Sequence, residues 1–191
     1  KKIAIIGAGI VGVMCACFLQ REGHKVTLFD DKLPGSETSF GNSGIISPGA
    51  VVPIAMPGLI RNVPSWLLKS DGPLSMDWNM LLTHLPWLMR FLLNSKESYA
   101  RRNSDGLSVL NTESLDLLKP LLSEANLSHL IEQKGMLYAY KTKEEFLADN
   151  LAIELREAAD CPSRRVSGEQ LRDIEPNLSD QFSEGIFFPE V

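Results

Sequence analysis

The sequence predicts an α/β fold that opens with one βαβ unit and continues into a helical segment and the start of an α+β domain. Three observations predict it. Two short apolar runs near the N-terminus flank a helical stretch that begins with three closely spaced glycines. Leucines at helical spacing then dominate the middle of the chain, and strand-like alternation with amphipathic helical stretches follows residue 134. The expected parts are residues 1–62, 63–134 and 135–191.

Composition places the chain in the ordinary globular class. It has 191 residues, of which 44% are hydrophobic and 23% charged, which is enough apolar material for a buried core. The net charge of −5, with basic residues scattered, argues against nucleic acid as a partner. Cys15, Cys17 and Cys161 form neither a CxxC motif nor an even set, and the three histidines stand apart. We therefore expect no disulfide framework, no metal site and a reducing, cytoplasmic location.

The stretch KKIAIIGAGIVGVMCACFLQREGHKVTLFD supplies the elements of the βαβ unit. Its pattern predicts a strand at 3–6, a turn at 7–9, a helix at about 10–22 and a strand at 25–30. Gly23 is expected to end the helix, and Ala16 and Leu19 are expected to face the sheet. This order is that of a Rossmann-like unit.

Three glycines in the spacing GxGxxG predict a phosphate-binding turn. Gly7 permits the tight turn, Gly9 lets backbone amides approach a pyrophosphate, and Gly12 lets the helix lie close to the strand. The first amides of the helix, with its positive dipole end, suit phosphate. The alternative is a buried α/β hairpin without a ligand.

The same stretch also has the charge order of a secretory signal, because Lys1 and Lys2 precede apolar residues 3–19. A cleaved signal has no need of glycines at this spacing. The phosphate-binding interpretation is therefore favoured.

Asp30 closes the second predicted strand, 18 residues after Gly12. A carboxylate there accepts hydrogen bonds from a ribose hydroxyl and disfavours a 2′-phosphate, so NADP is not expected. The alternative for Asp30 is an exposed strand-end carboxylate or a helix cap.

The glycine- and proline-rich segment DKLPGSETSFGNSGIISPGAVVPIAMPG, residues 31–58, points to FAD. A simple NAD-binding fold would continue here into another helix and strand. Instead, the glycines let the backbone lie against a flat ligand, and Ser39 and Asn42 supply donors for phosphate or ribitol oxygens. The amides near Gly44 and Ile45 are placed to meet a flavin ring edge. Two alternatives remain open: a mobile linker, or a non-redox module that holds NAD or ADP.

The middle of the chain predicts packing helices. Residues 85–93, LPWLMRFLL, are expected to form a short amphipathic helix, either at a membrane or partner surface or in an interdomain core. No run reaches the ~18 apolar residues that a membrane span requires. Helices are also expected at 97–118 and 120–132.

The last part reads as α+β. Strands are expected at 135–142, around Arg165 and at 184–189, and a helix at 143–159. A further helix is expected in SGEQLRDIEP, capped by Ser167 with Gln170 at the third helical position. Tyr138 and Tyr140 share one strand face, where they line a pocket or belong to the core.

These motifs carry a resemblance to a known family. The stretches IAIIGAGIVGVMCACFLQREGHKVTLFD and ETSFGNSGIISPG resemble the N-terminal part of FAD-dependent oxidoreductases of the D-amino-acid oxidase family, most closely bacterial D-amino-acid dehydrogenases. Similar stretches continue along the chain: PSWLLKSDGPLSMDW, GMLYAY, SGEQLRDIEPNL and EGIFFPEV. The resemblance covers nearly all residues and is most specific in the first 58.

The resemblance implies a glutathione-reductase-like FAD fold followed by a substrate domain. It implies oxidation of the C–N bond of a D-amino acid or similar amine, with hydride transfer to the flavin and electrons passed to a membrane quinone, so that the protein would contact the inner face of the membrane peripherally. Glycine- or sarcosine-type amines are the alternative substrates. The implied FAD contacts are Gly7, Gly9, Gly12, Asp30, Ser39, Asn42, Ser43, Gly44 and Ile45.

Members of the family are longer than this chain, and their second half supplies the substrate carboxylate clamp and the segment that closes over the flavin. The sequence therefore resembles an N-terminal fragment that is inactive alone and binds FAD weakly. No catalytic residue is assigned.

Overall fold

The computed structural model describes residues 1–59 and 80–189. The chain divides into two compact units, Lys1–Ile45 and Ile46–Val191. The loop predicted to wrap the cofactor is therefore shared between the units, with residues 31–45 in the first. The predicted boundary at residue 62 lies outside the described residues, as does the stretch PSWLLKSDGPLSMDW. The division into three parts stays a prediction.

The first unit is the predicted βαβ unit. It consists of β1 (Lys2–Ile6), α1 (Ile10–Arg21) and β2 (Lys25–Phe29). The two strands are parallel, with Ile3 opposite Val26 and Ile5 opposite Leu28. The predicted bounds of all three elements are confirmed to within one residue.

Glycine ends α1 as predicted. Gly23 has φ +80° and donates to the Gln20 carbonyl, while the His24 N–H donates to the Leu19 carbonyl. These paired bonds form a Schellman motif, which satisfies the last carbonyls of the helix. The motif turns the chain directly into β2.

Within the first unit, α1 covers one face of this two-stranded sheet. Ile5 faces α1, because a Cβ on Gly12 would lie 3.6 Å from its Cγ2 atom. Alternate residues on the opposite face are open, and Ile6 is 92% and Phe29 55% exposed. Ala16 and Leu19 of α1 are half-buried. Two strands are too narrow to bury a helix completely.

From residue 80 onward, the second unit first contains helices. They are α2 (Leu81–Leu93), α3 (Glu97–Asn111) and α4 (Ser114–Glu124), followed by a 3₁₀ turn at Ser128–Leu130. The helices predicted at 97–118 and 120–132 have the wrong bounds. The helical run breaks at Thr112, whose N–H and hydroxyl both donate to the Ser108 carbonyl. Asn126, at φ +59°, ends the second helix well before residue 132.

A three-stranded antiparallel sheet follows. Its strands are β3 (Met136–Tyr140), β4 (Arg164–Ser167) and β5 (Glu184–Phe188), arranged in the order β3-β5-β4. Tyr138 lies opposite Ile186, which in turn lies opposite Arg165. The three predicted strands are confirmed.

The helix predicted at 143–159 is two helices, α5 (Lys143–Ala148) and α6 (Asn150–Ala158). They separate at Asp149, which has ψ near 4° and uses its carboxylate to accept the Tyr140 hydroxyl. Because the Asp149 side chain is bonded to Tyr140 of β3, it ties the junction between the two helices to the sheet.

The predicted Ser167 cap is wrong. α7 (Glu169–Ile174) has Gly168, at φ +53°, as its N-cap residue and no side-chain cap. The other half of the expected capping box is present, because the Gln170 side chain accepts from the Ser167 N–H at 3.3 Å.

Aromatic side chains hold this sheet to its helices. A core cluster contains Phe146, Ile153, Cys161, Ile186 and Phe188, with Tyr138 and Tyr140 packed against it. Of the two interpretations of the tyrosines, the structure shows the core one. Arg156 is buried above the Tyr138 and Phe188 rings, at 4.7 and 5.4 Å from their centroids.

Candidate functional site

The candidate site lies in the first unit, where β1 turns into α1. Gly7 has φ +102°, which favours glycine, and its N–H donates to the Phe29 carbonyl at 2.8 Å. A Cβ on Gly12 would lie 1.8 Å from the Gly7 carbonyl oxygen. Any side chain at residue 12 would thus force the helix away from the turn. The geometry gives these two glycines the roles predicted for the turn and for close packing.

A cleft of about 150 Å³ opens beside this turn. Three segments form it: the turn itself, the end of β2, and the first part of the following loop. The lining residues are Ala8, Gly9, Asp30, Leu33, Gly35, Ser36, Glu37, Thr38 and Ser39. Three of the residues predicted to bind the cofactor therefore line this cleft: Gly9, Asp30 and Ser39.

Ser39 lies against the N-terminus of α1. Its Oγ atom accepts the Ile10 N–H at 2.8 Å, and a Cβ on Gly9 would lie 3.2 Å from the same atom. The Ser39 hydroxyl keeps its own proton for donation to a ligand. A bare glycine, a helix N-terminus and a hydroxyl donor thus come together, and this combination fits a pyrophosphate.

Asp30 ties the end of β2 to the glycine turn. Its two carboxylate oxygens accept the Ala8 N–H at 2.5 Å and the Lys32 N–H at 2.8 Å. The hydrogen bond from Ala8 is the main cause that lowers the pKa of Asp30, and the bond from Lys32 is the second. The carboxylate is therefore ionised at neutral pH. Each oxygen retains a second lone pair that can accept from a ribose hydroxyl.

The rest of the predicted contact loop is held by its own side chains. Asn42 donates from Nδ2 to the Ser39 carbonyl, and its Oδ1 accepts the Gly44 N–H, both at 2.7 Å. Gly44 has φ +68°. Ser43 and Ile45 are exposed. The contacts of these four residues with phosphate, ribitol and flavin stay a prediction.

The sequence interpretation missed part of the cleft wall. Gly35 donates its N–H to the Ala8 carbonyl at 2.9 Å, which fastens the loop to the turn. Leu33, Glu37 and Thr38 also line the cleft. The turn-forming run PGSETS, residues 34–39, indicated this loop in the sequence. A role in binding was predicted only for its last residue, Ser39.

A βαβ unit with this turn and cleft defines a dinucleotide-binding protein of the Rossmann-like class. The family model described as DAO, FAD dependent oxidoreductase, matches residues 2–191. The chain belongs to this family of FAD-dependent oxidoreductases. The predicted family, fold class and FAD cofactor are thereby confirmed.

Individual relatives agree with the family assignment. The chain is 36% identical over 194 aligned residues to a D-amino-acid oxidase from Bradyrhizobium diazoefficiens, covering 100% of this chain and 46% of that protein. L-proline dehydrogenase from P. horikoshii has a TM-score of 0.62 at 19% identity, covering 100% of this chain and 37% of its own. Glycine oxidase from Bacillus cereus ATCC 14579 has a TM-score of 0.55 at 17% identity, and the match covers 99% of this chain and 38% of that protein. The chain thus spans less than half the length of these relatives.

Proposed function

We propose that the chain is the N-terminal part of an enzyme that oxidises the C–N bond of a D-amino acid. The observation that carries this proposal is the 36% identity, over the whole chain, to a protein named D-amino-acid oxidase. The cleft beside the glycine turn supports it, because it has the donors and acceptors that the ADP part of FAD requires. The glycine oxidase neighbour, at 17% identity, supports the fold but not glycine as a substrate.

Each part of the first unit has a role in this proposal. The N-terminus of α1 and the Ser39 hydroxyl hold the pyrophosphate, and Asp30 accepts a hydroxyl of the adenosine ribose. The loop at 42–45 lies along the ribitol and the flavin ring. The bound flavin supplies the hydride acceptor, and the protein fixes its position.

Titration of the purified chain with FAD and, separately, with NAD tests the cofactor site. We expect FAD to bind, with a change in flavin fluorescence and a calorimetric heat. Gly9→Leu should abolish binding, because its side chain would occupy the space against Ser39. Gly106→Ala is the matched control, since a Cβ there meets nothing within 4 Å and the residue lies in α3, outside the first unit. Binding of NAD without FAD would instead support the non-redox module.

We also propose that α2 contacts a membrane surface, where a membrane quinone accepts electrons from the reduced flavin. One face of the helix exposes Leu82, Leu85, Met89 and Leu93, at spacings of three and four residues. Leu82 is 82% and Leu93 58% exposed. Among the described residues, no helix is long and apolar enough to cross a bilayer. The helix would therefore lie in the interface.

Flotation with lipid vesicles tests this surface. The unchanged chain should float with vesicles, and Leu82→Ser combined with Met89→Ser should remain at the bottom of the gradient. Leu117→Ser, at an exposed position of α4, is the control. If the unchanged chain does not float, α2 faces protein rather than lipid.

A further inference from the structure

A second carboxylate lines the cofactor cleft. Glu37 belongs to its wall, together with Asp30, Leu33 and Gly35. Its side chain makes no hydrogen bond or ion pair with any other residue that the structure describes. It is exposed and lies two residues before Ser39. Glu37 is thus a free acceptor at the edge of the cleft.

The two carboxylates of the cleft differ in what they already bind. Both oxygens of Asp30 accept backbone amides, from Ala8 and Lys32. These bonds fix the end of β2 on the glycine turn and leave Asp30 with only its remaining lone pairs for a ligand. Glu37 keeps its full acceptor capacity and a longer, freely rotating side chain.

The chemistry of the ligand decides what Glu37 can bind. An ionised carboxylate accepts hydrogen bonds and repels phosphate, so it must face a part of the dinucleotide that carries donors. The adenosine ribose, which the proposed function assigns to Asp30, carries hydroxyl donors next to the pyrophosphate of FAD. We propose that Glu37 accepts a hydrogen bond from a ribose hydroxyl of the ADP part of FAD and is a specificity-determining residue of this site. This inference rests on the proposed function.

A cycle of protein and ligand changes tests the inference. The 191-residue chain and its Glu37→Gln variant are titrated calorimetrically with ADP and with 2′,3′-dideoxy-ADP, which lacks both ribose hydroxyls. We expect Glu37→Gln to weaken ADP binding about fivefold to tenfold, because the glutamine amide oxygen still accepts a hydrogen bond but lacks the charge that strengthens it, and to leave dideoxy-ADP binding unchanged. Equal dideoxy-ADP affinity also shows that the variant keeps an intact cleft.

Glu22→Gln is the matched control, because Glu22 is an exposed acid at the opposite end of α1. An unchanged ADP affinity in Glu37→Gln would overturn the inference, as would an equal loss for both nucleotides. Inosine diphosphate keeps both ribose hydroxyls but lacks the adenine amine. If Glu37→Gln weakens the binding of ADP but not of inosine diphosphate, Glu37 accepts from the amine and the inference is overturned. If the unchanged chain binds neither ADP nor FAD, the proposed cofactor site itself fails.

Discussion

Asp149 ends one helix, begins the next and holds a tyrosine hydroxyl. The Tyr140 hydroxyl donates to its Oδ2 atom at 2.6 Å, and the Tyr140 ring packs edge-on against Phe146 at 5.6 Å. Burial raises the pKa of Tyr140 well above its usual value, and the hydrogen bond to Asp149 raises it further. The hydroxyl therefore belongs to the architecture of the second unit and not to a pocket.

Tyr140→Phe removes this bond and keeps the ring. We expect the free energy of unfolding to fall by about 1.5–3 kcal/mol, as for a hydrogen bond to a charged acceptor. Urea denaturation followed by circular dichroism measures it. Tyr99→Phe is the control, because Tyr99 makes its described contact through the ring, with Arg102. Equal stability of Tyr140→Phe and the unchanged chain would contradict this account.

The same bond predicts a pH dependence. Because the pKa of Tyr140 is higher in the folded than in the unfolded chain, its contribution to stability is complete below about pH 10 and is lost as the pH rises through the folded value. In an absorbance titration of tyrosinate formation, the part of the signal that appears at the highest pH should belong to Tyr140. Tyr140→Phe should remove that part alone; a titration that keeps its late part in this variant would contradict the assignment.

Gly12 and Gly41 make a matched pair in the first unit. Gly12→Ala places a Cβ 1.8 Å from the Gly7 carbonyl oxygen, and backbone cannot yield as a side chain can. We expect a loss of at least ~1–3 kcal/mol in unfolding free energy, together with loss of FAD binding. Thermal melts with and without FAD measure both effects. Gly41→Ala should leave the free energy of unfolding unchanged, and a stable, FAD-binding Gly12→Ala protein would refute the close approach.

At the scale of single residues, the sequence was informative where the backbone itself sets the requirement. Gly7, Gly12 and Gly23 were predictable because a tight turn, a close approach and a helix end each require glycine. Asn42 was not, because an amide side chain can serve a ligand or its own loop equally well. Its two bonds to Ser39 and Gly44 depend on the loop conformation.

Among the elements, α3 contains a glycine that its packing does not need. A Cβ on Gly106 meets nothing within 4 Å, and the residue lies inside the helix. Gly106→Ala should raise the free energy of unfolding by about 0.5–1 kcal/mol, because alanine loses less backbone entropy in a helix. Chemical denaturation measures it. Gly185→Ala is the opposite case and should destabilise, since its Cβ would lie 2.6 Å from a Leu171 methyl group.

Element type was more predictable than element length. Apolar periodicity identified the described helices and strands, but it does not reveal where a polar side chain ends a helix. The helix expected at 120–132 begins at Pro120, yet Pro120 lies inside α4. The actual breaks fall at Glu113 and Asp149, where ψ departs from the helical value to near 0°, and Asp149 also bonds a tyrosine in a different element.

For the molecule as a whole, cofactor binding should be local. Every predicted FAD contact lies within Lys1–Ile45. Hydrogen exchange with and without FAD should therefore show added protection in peptides covering residues 7–12 and 33–45, and unchanged exchange in peptides covering β4 and β5. Equal added protection everywhere would contradict this localisation. The catalytic pocket was not predictable, because no sequence motif in the chain assigns it.

The strand order β3-β5-β4 has a consequence for synthesis on the ribosome. The central strand, β5, is the last of the three to be made, so neither β3 nor β4 has a partner in this sheet until Glu184–Phe188 has emerged. The pairing of Met136 with Phe188 spans most of the second half of the chain, and such distant contacts form slowly. The βαβ unit, whose pairings are local, can fold during this delay. The nascent chain can thus form its nucleotide-binding unit before the β3-β5-β4 sheet closes.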